Sequence, residues 1–192
     1  MQSDLFPEQK QALDYLRRKG TEAPVAEIRS KVEETFRDLD ALLAGVPEHV
    51  VRVWPRPGRW CVQEVVDHLV ESHRPVVGEL AALLRGEVPQ GGPIPASLQS
   101  PDAMEKDWRE LVRELAAVHD EMASLVRSAP EDTSLEVRAP VVMVIKVRGE
   151  DGEVRPVQWQ EELDWKGYAM AFRAHALEHI AQIRKTLEET GF

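Results

Sequence analysis

The feature that most constrains this chain is a repeated spacing of apolar residues, each run closed by glycine or proline. Val25, Ile28, Val32, Phe36, Leu39 and Leu43 follow one another at steps of three and four, and Gly45 with Pro47 ends the run. Such spacing marks one face of an α-helix. It returns through Val62, Val65, Val66, Leu69, Val76, Leu80 and Leu83, then through Trp108, Leu111, Leu115, Val118, Met122 and Leu125. It returns last through Phe172, Ala176, Ile180, Ile183 and Leu187. Four long apolar faces must bury against one another, so the spacing predicts an all-α chain built as a four-helix bundle. Pro75 lies inside the second of these runs and predicts a kink or break there. The third helix is expected over residues 102–129 and the last over 161–190.

Two segments depart from this plan. "PEQKQALDYLRRKG" predicts a short amphipathic helix, an N-terminal extension within residues 1–22, with Pro7 in its first turn and Gly20 at its exit. Between the third and last helices, the valine-rich stretch at about 137–159 surrounds "GEDGE" and predicts an irregular β-hairpin inserted before the last helix. "GEVPQGGPIPASLQSPD" reads as a loop, since its glycines and prolines suit no regular element. No repeat of fixed period occurs, and the expectation is a single domain over residues 1–192.

The net charge of −10 argues against nucleic-acid and anionic-membrane partners, because phosphate binding needs a concentrated basic surface. No run of about 18 apolar residues offers a membrane span, and the first twenty residues hold no signal-peptide core. The lone cysteine, Cys61, cannot form an internal disulfide. Together these features lead to the expectation of a cytoplasmic protein acting on a small molecule.

The chemistry concentrates in "AFRAHALEHIAQIRK", residues 171–185. His175 and His179 stand four apart, one helical turn, on or beside the apolar stripe. Two imidazoles so placed can reach one metal ion. Glu178 directly precedes the second histidine, so the order differs from the H-E-x-x-H of zinc proteases, and about 100° of helical rotation points it away. Gln182, three residues after His179, can hydrogen-bond near the same place. A catalytic metal site commonly takes three protein ligands and keeps one position open. His68, beside Leu69 and three after Val65, is the best third candidate. His119 is a weaker alternative. His73, five residues past His68 and just before Pro75, faces another direction. His49 falls in a loop. Without a metal, each buried imidazole would need its own hydrogen-bond partners.

Two of these segments resemble the DinB superfamily. "RWCVQEVVDHL" is similar to its W-S-x-x-E-x-x-x-H-L pattern at Trp60, Glu64, His68 and Leu69, and "HALEHIAQIRK" to its H-x-x-x-H-x-x-Q-I pattern at His175, His179, Gln182 and Ile183. The resemblance implies an up-down-down-up bundle with a divalent transition metal, zinc or nickel, held by His68, His175 and His179. It further implies a homodimer and a low-molecular-weight thiol cosubstrate, used in S-transfer or isomerisation through an activated thiolate. Two other readings stand beside that one: metal-assisted hydrolysis at the same ligands, and a non-catalytic dimeric stress-response or interaction module with a structural metal or none.

The chain departs from the pattern at Cys61, where the family carries a helix-capping serine or threonine. A small buried apolar residue is expected there rather than a reactive thiol. The inserted hairpin could wall the pocket. Trp60, Trp159 and Trp165 are candidates to line a cavity, and Arg56 and Arg59 to meet an anionic cosubstrate.

Overall fold

The computed structural model describes residues 5–149 and 152–192. Helix α1 spans Pro7–Leu16 and runs into a π-helical turn, Arg17–Thr21. The bundle helices are α2 (Val25–Ala44), α3 (Val62–Leu84), α4 (Trp108–Ser128) and α5 (Trp165–Thr190). A two-stranded antiparallel sheet, β1 (Ala139–Arg148) and β2 (Val154–Leu163), stands before α5, with Ala139 opposite Leu163 and Arg148 opposite Val154. Helix α3 packs on α4 and α5, and α2 packs on the same two, so the consecutive helices α2 and α3 lie across the bundle from each other. No helix among the described residues is long and apolar enough to cross a membrane.

Local chemistry sets the boundaries, and in two places it corrects the sequence reading. The third helix starts at Trp108 rather than 102, because Asp107 caps it by accepting from the Glu110 N–H at 2.9 Å. The last helix starts at Trp165, where Asp164 Oδ1 accepts from the Lys166 and Gly167 N–H groups, both at 3.0 Å. Glu161–Leu163 are therefore strand, and the hairpin reaches past 159. Of the expected "GEDGE" turn, Glu150 and Asp151 lie outside the described residues, as do residues 1–4 of the N-terminal extension. At Pro75, where a kink or a break is expected, α3 continues without a break. A proline costs one i→i−4 bond and crowds the preceding turn, but Val76, Leu80 and Leu83 beyond it are buried at 1% exposure or less and hold the helix on its neighbours.

Cys61 opens α3, where its backbone N–H donates to Glu64 Oε2 at 2.8 Å. Its side chain is fully buried against Met104, and burial pushes the thiol up to about 11. It is a packed apolar residue, in keeping with the sequence reading. The N-terminal extension docks through glycine: a Cβ on Gly20 would sit 3.0 Å from the Gly167 Cα. Only a bare backbone lets the π turn approach α5 this closely.

Two apolar clusters fill the bundle. One joins Leu16, Val25, Phe36, Val76, Val118, Met122, Trp165, Phe172 and Ala176 with Ala139, Val141 and Leu163 of the hairpin. The other joins Leu39, Leu43, Val62, Val65, Leu69, Leu111, Leu115, Ile180 and Ile183. On α3, α4 and α5 the chain passes from one cluster to the other within a few residues, and His73, His119, His175 and His179 stand at or beside that boundary.

Candidate metal centre

Helix α3 contributes His68 and α5 contributes His175 and His179. One nitrogen from each lies within 4.8 Å of the others. His175 Nε2 is 3.1 Å from His68 Nε2 and 3.0 Å from His179 Nε2. The rings stand steeply to one another, at 79° for His68 with His175 and 87° for His175 with His179. His68 and His179 are buried and His175 is half-buried.

The outer nitrogens decide what the inner ones carry. His68 Nδ1–H donates to the Leu98 carbonyl at 2.7 Å, and a carbonyl can only accept. His179 Nδ1–H donates to Gln182 Oε1 at 2.9 Å. A neutral imidazole has a single N–H, so both Nε2 atoms present bare lone pairs toward His175. Burial lowers the pKa of His68, holds His175 well below the usual histidine range with help from its imidazole neighbours, and brings His179 down to about 4. All three rings are neutral at pH 7, the form that ligates a metal. Tetrahedral nitrogen ligands about 2.0–2.1 Å from a metal stand roughly 3.4 Å apart, which two of the three separations match to a few tenths of an ångström. Uncharged donors, converging lone pairs and outer nitrogens already hydrogen-bonded all fit a divalent transition metal.

The loop between α3 and α4, residues 85–107, presses on this site. Besides Leu98, its Gln99 side chain donates to the Glu64 carbonyl at 3.0 Å, and Ser100 donates through its N–H (2.9 Å) and Oγ (2.7 Å) to the buried Asp67 carboxylate. Lys106 Nζ reaches the same carboxylate at 2.7 Å. Gln63 donates to the Ala103 carbonyl at 2.8 Å. Sequence reasoning read residues 86–102 only as a loop and placed Ala103 and Lys106 in the following helix. The signal was in the helix it covers, where Gln63 and Asp67, four apart, interrupt a valine-rich face.

Two further histidines were set aside at the sequence level and are drawn in by the fold. His73 is fully buried, with Nε2 2.9 Å from His175 Nδ1 and Nδ1 2.9 Å from His119 Nε2. It does face away from His68, but the His175 ring lies between them and meets both. His119, weighed as a spare ligand, joins His73 instead. Its position on the α4 stripe, one after Val118 and three before Met122, was the signal. Of the tryptophans, Trp60 lies 5.2 Å from the His68 ring, whereas Trp165 is in the core and Trp159 is on the hairpin. Arg56 is exposed and pairs with Glu189, and Glu178 is exposed.

Burial holds His119 at about 3, against 6.5 for the free side chain. The unfolded chain therefore takes up a proton that the folded chain refuses. The resulting stability is complete above pH 6.5 and falls as the pH drops toward 3. Between pH 7.5 and 4.5 the metal-free protein is expected to lose about 3 kcal/mol through this residue alone. Urea unfolding at the two pH values checks this, and a His119→Phe variant should lose correspondingly less.

Comparison with known proteins places this geometry in context. The sequence model of the DinB superfamily matches residues 31–149, a stretch that contains His68, His73 and His119 and ends before α5. A solved structure with a similar fold is YfiT from Bacillus subtilis, described as a probable metal-dependent hydrolase with an unusual four-helix bundle topology. It is 16% identical, with 88% of each chain covered and a TM-score of 0.60. No curated protein sequence matches the chain.

Proposed function

Because the chain belongs to the DinB superfamily, we propose that it is a metal-dependent enzyme whose metal is held by His68, His175 and His179. Hydrolysis of a small-molecule substrate is the reading we favour. The observation that carries the metal site is the convergence of three Nε2 atoms, with the outer nitrogens of His68 and His179 each placed against a hydrogen-bond acceptor. The description of YfiT as a metal-dependent hydrolase supports the choice of reaction. A divalent metal, zinc or nickel, would supply Lewis-acid polarisation and activate a water or a thiol.

The chain's own residues do the positioning. The Leu98 carbonyl fixes the tautomer of His68, which cannot turn its N–H inward without losing that hydrogen bond, and Gln182 Oε1 favours the same tautomer in His179. The apolar clusters on either side keep the rings neutral. No carboxylate hydrogen-bonds to any of the three imidazoles among the described residues, so no protein acid or base is assigned.

Protein purified without a histidine tag is expected to carry close to one zinc or nickel per chain by elemental analysis. Once reloaded after chelation, it should hydrolyse members of an ester and amide panel in a metal-dependent way. Less than about 0.1 metal per chain, unchanged in a His179→Ala variant, would remove the site. If the loaded protein leaves the panel intact but consumes glutathione, bacillithiol or mycothiol together with an electrophile, the chemistry is thiol transfer or isomerisation. A loaded protein inert in both assays is the interaction module.

A further inference from the structure

Behind the three converging histidines runs a line of imidazoles that the proposed function leaves unused. His175 on α5, His73 on α3 and His119 on α4 are joined by two contacts of 2.9 Å. His73 is 0% exposed and His119 1%. Phe36 stacks flat on His119, with centroids 3.9 Å apart at 4°, and Phe172 meets His73 edge-on at 5.5 Å. These rings cannot exchange their contacts for water. At the far end, His119 Nδ1 is buried with no partner among the described residues.

A neutral imidazole has one N–H and one bare nitrogen. Three in a row, joined by two hydrogen bonds, therefore allow two proton orders. In the outward order His175 donates from Nδ1 to His73 Nε2, and His73 donates from Nδ1 to His119 Nε2. His175 Nε2 is then bare and completes the set of three lone pairs with His68 and His179. In the inward order every donation reverses. His175 then carries its proton on Nε2, at the point where the three rings converge, and no metal can bind there. The two orders differ also at the orphan atom: outward it is an N–H without an acceptor, inward a bare nitrogen. An orphan N–H in the core is the rarer and costlier of the two, so metal binding has to offset it.

We propose that His73 and His119 are positioning residues for the metal: a buried tautomer relay that determines which nitrogen of His175 is free, and that stands in the outward order when metal is bound. It rests on the three-histidine metal reading above. The relay extends the usual role of an outer partner, which fixes the tautomer of a ligating histidine, through a second and a third imidazole.

The test uses the full chain and zinc(II) alone. In the zinc-loaded wild-type protein, 15N NMR of the imidazole rings should find His175 and His73 protonated at Nδ1 and bare at Nε2. A purely structural role for His73 would not dictate that pattern, and finding the His73 proton on Nε2 in the zinc form overturns the relay. A His73→Leu variant, which removes the acceptor, should bind zinc about 10- to 100-fold more weakly; affinity within about threefold of wild type also overturns it. If this variant does not fold, the wild-type spectrum still decides. Wild-type protein that binds no zinc refutes the metal site itself, whereas wild-type binding with either contrary relay result refutes the relay alone.

Discussion

A His175→Ala variant is expected to bind no zinc at concentrations that saturate the wild-type protein, a loss larger than the roughly 10- to 100-fold that removal of an outer partner costs. His175 Nε2 lies 3.1 and 3.0 Å from the Nε2 atoms of the other two candidate ligands, while its Nδ1 meets His73. Its removal leaves two imidazoles where a metal site of this kind needs three protein ligands. It also leaves His73 Nε2 buried without a partner, which adds about 1–3 kcal/mol of destabilisation. Equilibrium dialysis with zinc reads the first effect and urea unfolding of the metal-free protein the second. Retained stoichiometric binding would show that the metal is held elsewhere.

The second large effect is expected at a residue with no metal-ligating role. Lys106→Met should destabilise the protein by roughly 3 kcal/mol, because it leaves the Asp67 carboxylate in the core without its cation. Asp67 is 0% exposed and Lys106 22%. The substitution keeps the length of the side chain, so most of the loss is electrostatic. The two hydrogen bonds from Ser100 persist and hold the cost near the lower end of the range for broken buried pairs. The same ion pair ties the loop that carries the Leu98 carbonyl to His68, so zinc affinity should fall along with stability. Urea unfolding measures the first. A change under about 1 kcal/mol would mean that the ammonium is in effect solvated and the loop is held by other contacts.

Much of the architecture was legible in the chain itself. The spacing from Val25 to Leu43 or from Trp108 to Leu125 is periodic because one face of each helix is excluded from water, and that requirement shows in the residues wherever they pack. The hairpin was visible in its valines, and the pair His175 and His179 in its four-residue step along one helix. The boundaries at Trp108 and Trp165 were missed for a physical reason: a capping aspartate ends a loop or a strand as readily as it begins a helix. At Pro75 the local cost of proline was outweighed by packing from helices distant in sequence.

The site divides in the same way. His68 was a candidate because it lies at the edge of an apolar stripe, a property of its own helix. His73 and His119 were discounted by the same local reasoning. Their role depends on which helices are neighbours and how far each is rotated, and no spacing within one helix carries that. The loop over Asp67 is a similar case, since a polar residue in an apolar face shows that some partner must come without showing which.

The sequence by itself determined the helical bundle, the inserted hairpin and the three histidines that could converge. Only the tertiary structure decided that they do converge, that Leu98 and Gln182 orient two of them, and that His73 and His119 stand in line behind the third. Helical period is a one-dimensional consequence of burying a face, whereas the proton pattern of a buried imidazole depends on atoms from three or four separate elements meeting within 3 Å.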